Sequence, residues 1–168
     1  MIEVFKRTAV ISEDQKYRYE LTRDLVASPT KTLGIMGLNP STADAEVDDN
    51  TIKKEMAFTL SFCCNRLRKV NFYGLRSTDP KGLIGHPDPV GEFNYAFVGK
   101  AMLGCDIFVV AWGVLKPGYP EVPKRLAMIQ TMALEAGIPL YCFGRNGDGS
   151  PKHPLYLKGT TPLQPFNF

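Results

Sequence analysis

Along the chain, apolar positions shift repeatedly between unbroken or alternating runs and a spacing near 3.6, the signature of strands interleaved with helices. Arg7 to Ser12 and Lys16 to Arg23 flank the polar turn Glu13-Asp14-Gln15, and the second segment sets Tyr17, Tyr19 and Leu21 on one face, predicting a β-hairpin. A continuous apolar run begins at Thr32 and stops at Gly37-Leu38-Asn39-Pro40-Ser41. A helix is predicted from Asn50 or Thr51 to about Arg68, because Ile52, Met56, Leu60, Cys63 and Leu67 recur along one stripe. Further helices are predicted from about Gly91 to Leu103 and from Val122 to Ala136, the latter with Leu126, Ile129 and Ala133 inward and Gly137 as its stop. Strands are expected at Val70–Arg76, Phe108–Gly113 and Ile138–Phe143. The alternation predicts one domain over residues 1–168, a three-layer α/β/α arrangement with a mostly parallel central sheet and the hairpin at its N-terminus.

Two loops draw attention by their shared design. The Thr32 strand runs straight into Asn39-Pro40, where proline ends the ladder and holds the preceding residue extended. The strand Ile138–Phe143 leads through the loop Gly144–Ser150 to Lys152-His153-Pro154-Leu155-Tyr156. In open α/β sheets ligands bind beyond the carboxyl ends of the strands. Asn39 and His153 are therefore expected to meet in one cleft; an ordinary Asn-Pro turn and a loop histidine capping a turn are the plainer alternatives. The other histidine, His86, sits in the loop Gly85–Pro89 and is the weaker candidate.

The chain has 168 residues, 44% of them apolar, enough for a proper core, and a formal charge of +3 that neither requires nor opposes nucleic-acid binding. No apolar stretch approaches the ~20 residues that span a bilayer, and the first residues lack a signal-peptide layout, so no membrane association and a cytoplasmic location are expected.

Cys63, Cys64, Cys105 and Cys142 include no Cys-x-x-Cys pair, which predicts free apolar cysteines and neither a metal nor an iron–sulfur cluster. The acidic segment from Asp44 to Asp49 admits two readings. Asp48, Asp49 or Asn50 could cap the following helix, or Asp48 and Asp49 could hold Mg²⁺ for a nucleotide-modifying reaction. Arg66, Arg68 and Lys69 before one strand, and Arg145, Lys152 and Lys158 around the His153 loop, could face a phosphate backbone or be ordinary solvated charges.

Asn-Pro-Ser-Thr-Ala-Asp, Asp-Asp-x-Thr, Ala-Trp-Gly and Lys-His-Pro-Leu-Tyr occur here in that order. Over nearly its whole length the chain thereby resembles an uncharacterised bacterial and phage family, a domain of unknown function. More remotely, Gly37-Leu38-Asn39-Pro40-Ser41 and His153-Pro154-Leu155 resemble the two active-site motifs of the uracil-DNA glycosylase superfamily, nearest to the mismatch-specific and single-strand-selective branches, whose first motif reads Gly-x-Asn-Pro-Gly. Val70–Arg76 is similar to the strand that in classical members ends in a base-reading Asn, and Phe108–Gly113 to a later strand closing in Trp-Gly.

This resemblance implies a uracil-DNA-glycosylase-like fold and cleavage, without a cofactor, of the N-glycosidic bond of uracil or a modified pyrimidine flipped out of DNA. Asn39 would orient the attacking water and His153 would donate to the departing base, with Gly37, Leu38, Pro40 and Ser41 shaping the pocket. Asn71 would read the base through its amide, or else fix its strand to a neighbour; at the start of the predicted strand its register differs from the superfamily's. Leu155, with Tyr156, would push into the base stack, or be plain core. The competing functions are a Mg²⁺-dependent nucleotide- or base-modifying enzyme and a non-catalytic DNA- or protein-binding module.

Overall fold

The structure, a computed structural model, describes residues 2–41 and 43–168; Met1 and Thr42, the latter part of the Asn-Pro-Ser-Thr-Ala-Asp motif, lie outside the described residues. Among the described residues ten regular elements follow in chain order: β1 (Lys6–Ile11), β2 (Arg18–Asp24), β3 (Thr32–Gly37), α1 (Asn50–Ser61), β4 (Arg66–Asn71), α2 (Asn94–Gly104), β5 (Ile107–Val110), α3 (Val122–Glu135), β6 (Leu140–Cys142) and β7 (Gln164–Pro165). Short 3₁₀ turns at Pro80–Leu83 and Pro154–Tyr156 complete them.

The strands form one mixed sheet in the order β1-β2-β4-β3-β5-β6-β7. The expectation of a mostly parallel sheet is corrected. Parallel pairing is confined to β4-β3-β5-β6, while β1-β2, β2-β4 and β6-β7 are antiparallel. The physical reason is that the N-terminal hairpin does not stand apart from the core. Leu21 and Arg23 of β2 take Lys69 and Leu67 of β4 as partners, so the hairpin extends the sheet, and the C-terminal Gln164–Pro165 adds an antiparallel edge at the other side.

Side chains alternate across the central strands and divide the core. Leu33 and Ile35 of β3, Leu67 of β4 and Val109 of β5 pack with Ile52, Met56 and Phe58 of α1. Met36, Val70, Phe108 and Val110 pack with Val98, Ala101 and Met102 of α2 and Ile129 and Ala133 of α3. The central strands are thus packed on both faces, which explains the continuous apolar runs of β3 and β5.

The helix boundaries differ from expectation in one instructive place. The helix expected to reach Arg68 stops at Ser61, where Cys63 adopts a left-handed backbone (φ 56°) and Cys64 N donates to Thr59 O. Residues 66–71 then form β4, so Asn71 ends its strand instead of starting one. At the helix start, the Asp49 carboxylate accepts from Ile52 N at 2.9 Å, the capping alternative. Among the described residues no helix is long and apolar enough to cross a membrane.

Candidate functional site

The carboxyl ends of the four parallel strands enclose a polar cavity of about 230 Å³. Gly37 ends β3 and Asn71 ends β4, as cross-strand partners. Trp112 lies two residues beyond β5, and His153 is returned to this edge by the loop after β6. A small reversal makes that return: Arg145 bridges to Pro151, Lys152 N donates to Gly144 O at 2.9 Å, and Gly113 N donates to Pro151 O at 3.0 Å.

Of the residues singled out in the sequence, Asn39, His153, Gly37, Leu38, Ser41 and Asn71 line this cavity. Pro40, Leu155 and Tyr156 do not. Pro40 is buried and its carbonyl accepts from Ser77 N, Leu155 is half-buried on the 3₁₀ turn beside His153, and Tyr156 is 89% exposed. His86 lies outside the cavity, its Nδ1 accepting from Asp88 N.

The orientation of the Asn39 amide is set by its surroundings. Its Nδ2 donates to Pro40 O at 3.0 Å and to Ser77 O at 2.8 Å. Carbonyl oxygens only accept, so the NH₂ end is consumed, and among the described residues none donates to Oδ1.

His153 has a similar division of labour. Its Nδ1 accepts from Leu155 N at 3.3 Å, capping the 3₁₀ turn, which puts the proton of the neutral ring on Nε2. Burial, and then the nearby Lys69 ammonium, push its pKa down to about 4, against a smaller opposing pull from Asp49. At neutral pH the ring is an uncharged donor.

Asn71 is the outstanding anomaly. Its side chain is 1% exposed, yet neither Oδ1 nor Nδ2 has a hydrogen-bond partner among the described residues. A buried amide left unpaired costs about 1–3 kcal/mol, so such groups are rare outside sites that receive a ligand or water. Its backbone, by contrast, is firmly held. Asn94 Nδ2 donates to Asn71 O at 3.1 Å, and the buried Arg125 donates twice to Phe72 O while also reaching Asn94 Oδ1.

Two further charged groups line the cavity: Arg18, which the sequence does not single out, and Lys69, which reads there only as one of a basic trio. Lys69, on the same face of β4 as Asn71, lines it and forms a buried ion pair with Glu55 of α1 at 2.5 Å. Burial pushes the Glu55 carboxyl up while Lys69, paired with Oε1, draws it down, and Oε2 has no partner among the described residues. Arg18 donates to Ala43 O, leaves Nε unpaired, and is lowered to about 10 by burial. The signals were charged residues at apolar positions: Lys69 beside Val70 in a strand, and Glu55 between Ile52 and Met56 in a helix.

The basic cluster expected before the second core strand is internally spent. Arg66 makes two hydrogen bonds to Asp24, Arg68 pairs with Glu20, and Lys69 pairs with Glu55. Arg145 donates to Gly149 O and Asn167 O, while Lys152 and Lys158 are exposed beside the His153 loop. In the acidic segment, Asp48 is clasped by Arg7 and by the buried Arg23. Asp44 accepts from Glu46 N and Val47 N, and Asp49 alone of the three lines the cavity. The described residues contain no group of three or more His, Cys, Asp or Glu side chains arranged to hold a metal ion.

A second cavity, about 660 Å³ and mostly apolar, lies between Leu115, Val122, Leu126, Phe166 and Phe168 and shares Trp112 as a wall with the polar one.

A family described as Protein of unknown function (DUF1643) matches residues 18–155, a span that holds every residue lining the polar cavity. The chain belongs to this family. No curated protein and no solved structure matches it. Within DUF1643, then, Asn39, Asn71, Trp112 and His153 of this chain stand together at one sheet edge.

Proposed function

We propose that this protein hydrolyses the N-glycosidic bond of uracil or a modified pyrimidine in DNA, on a three-layer fold of the uracil-DNA glycosylase type. The observation that carries the reading is the set of complementary groups around one small cavity: a free acceptor on Asn39, an unpaired amide on Asn71 and a neutral donor on His153. A volume of about 230 Å³ is below the ~300–1,000 Å³ of drug-sized pockets and suits a single ring better than a whole nucleotide.

In this reading a pyrimidine leaves the stack and enters the cavity, where the Asn71 amide pairs with its edge. The C1′–N1 bond breaks with its electron pair going to the base, whose negative charge spreads onto the C2 carbonyl oxygen. His153 Nε2–H donates to that oxygen and keeps its proton. A water held by Asn39 Oδ1 forms the new bond to C1′ and gives up one proton, which the departing base anion takes up at N1 by way of solvent, leaving the abasic sugar and the neutral base. Asn39 cannot serve as a strong base, so its contribution is positional. Leu155 and the exposed Tyr156, on the turn that His153 caps, are suited to contact the gap left by the base.

The alternative of a Mg²⁺-dependent nucleotide-modifying enzyme draws on Asp49 at the cavity wall, but its presumed companion Asp48 is held by two arginines. A non-catalytic DNA- or protein-binding module would use the same edge without turnover. The deciding experiment is alkaline cleavage of labelled single- and double-stranded oligonucleotides carrying uracil, mismatched thymine or modified pyrimidines, in EDTA and in Mg²⁺. Abasic product in EDTA is expected. Product only with Mg²⁺ favours the alternative, and none in either buffer removes the glycosylase reading.

A further inference from the structure

Lys69, Glu55 and Asn71 form a unit whose geometry exceeds what a structural ion pair needs. A buried pair is costly unless further hydrogen bonds satisfy its remaining valences, yet Glu55 Oε2 is left open, and both ends of the neighbouring Asn71 amide are open too. Lys69 and Asn71 are two residues apart on β4 and project to the same face. The strand beside them keeps their space clear. A Cβ placed on Gly37 would lie 2.6 Å from Lys69 Nζ and 3.1 Å from Asn71 Oδ1, so ammonium and amide oxygen border one common space.

The charge of Lys69 also fixes the polarity of the amide. An ammonium attracts the carbonyl end of a neighbouring amide and repels its NH₂ end, which favours Oδ1 on the side of Lys69, and Oδ1 is the amide atom that borders the Gly37 space together with Lys69 Nζ. The cavity floor then offers donor, acceptor and donor in sequence: Lys69 Nζ, Asn71 Oδ1, Asn71 Nδ2. The complementary edge is acceptor, donor, acceptor, which is the imide edge of a 2,4-dioxopyrimidine: a carbonyl, a ring N–H and a second carbonyl.

We propose that Lys69, held in place by Glu55, is a specificity-determining residue that makes this cavity a subsite for the imide edge of uracil-like rings and rejects cytosine. Cytosine presents an amino group in place of one carbonyl and a bare ring nitrogen in place of the N–H. It could satisfy the Asn71 amide only if that amide turned its NH₂ end toward the ammonium, or if an exocyclic amine faced Lys69. The inference rests on the reading of the cavity as a base pocket but does not require that any bond be cleaved.

The test uses the full chain and free bases. Uracil and cytosine are titrated into ¹⁵N-labelled protein, following the Asn71 side-chain NH₂ signals and the dissociation constants. Uracil is expected to shift those signals and to bind at least about tenfold more tightly than cytosine, the scale of one hydrogen bond to a charged group. Lys69→Met alone would strand the Glu55 carboxylate, so the neutral pair Lys69→Met/Glu55→Gln is the variant to compare, and it should bring the two bases within about threefold of each other. Should that variant not fold, the wild-type signals decide. Equal binding of both bases, no shift at Asn71, or undiminished selectivity in a folded double variant overturns the inference. A uracil-bearing oligonucleotide that competes for the same signals places the imide edge on a nucleic acid; failure to compete places it on a free base, and both support the subsite. Selective uracil binding without abasic product would sink the glycosylase reading alone, whereas cleavage of uracil-DNA by an equally selective double variant would sink this inference alone.

Discussion

Gly37 and Asn71 face each other as the last cross-strand pair of β3 and β4, and the missing side chain on one leaves the amide of the other open to the cavity. Both sit at the carboxyl end of their strands, so a single pair of residues closes the sheet and opens the site.

Replacing that glycine tests the relationship directly. The Gly37 backbone is ordinary strand, so alanine meets no conformational penalty there, but its Cβ would crowd Lys69 Nζ at 2.6 Å. Gly37→Ala is expected to weaken uracil binding by about tenfold or more while changing stability by ~1–3 kcal/mol, the usual cost of overpacking. Titration calorimetry beside urea denaturation separates the two effects.

Asn39 and His153 act on different partners of the proposed reaction. Asn39→Ala and His153→Ala are each expected to slow base release by roughly 10²–10³-fold, the scale of one lost preorganised group. DNA binding should stay near its original strength. Single-turnover cleavage with a parallel binding assay reads both, and an unchanged rate in either variant would remove that residue from the mechanism.

The pH dependence follows from the buried ring. With the His153 pKa pushed down from 6.5 to about 4, the unfolded chain takes up the proton first as pH falls. The contribution of the neutral ring to stability is therefore complete above about 6.5 and is lost progressively between there and about 4. Base release should be indifferent to this group from neutral pH down to about 5, then fall near 4. Ring ¹⁵N shifts of His153 across that range give the value, and titration near 6.5 would contradict the buried donor.

Asp48 is expected to be structural. Asp48→Asn leaves the fully buried Arg23 without its carboxylate, and breaking a buried pair from one side costs about 3–5 kcal/mol. Denaturant unfolding should show a loss of this order. Any activity that survives should keep its original response to Mg²⁺; a lost Mg²⁺ requirement would return Asp48 to the active site.

Much of the fold is written in short-range pattern. The hairpin, the apolar run of β3 and the third helix, closed by Gly137 in a left-handed turn, follow from periodicity and stop signals alone. The end of α1 does not, because Cys63 and Leu67 prolong its apolar stripe into residues that leave the helix, and the turn that ends it rests on a left-handed cysteine where glycine is the usual sign. That error displaced β4 and with it the register of Asn71.

The site was legible where chemistry and proline coincide, at Asn39 and His153, and illegible where it depends on long-range pairing. Lys69 reads as one of a basic trio, and only the packing of α1 on the sheet reveals that Glu55 claims it. Arg125, next to the inward Leu126 on α3, is not singled out by the pattern. It is in fact buried beneath Phe72, where its guanidinium, lowered to about 10 by burial, supports the strand end that carries Asn71.

Trp112 is the sole tryptophan of the chain, and its indole is both a wall of the polar cavity and a wall of the apolar one beside it. The protein thus carries its own optical reporter at the sheet edge. Tryptophan emission, excited beyond the tyrosine band, comes from one buried ring, so a change in its intensity or wavelength on adding a compound signals occupancy of one chamber or the other without any label, and quenching by a small solute measures how far each occupant seals the edge from solvent.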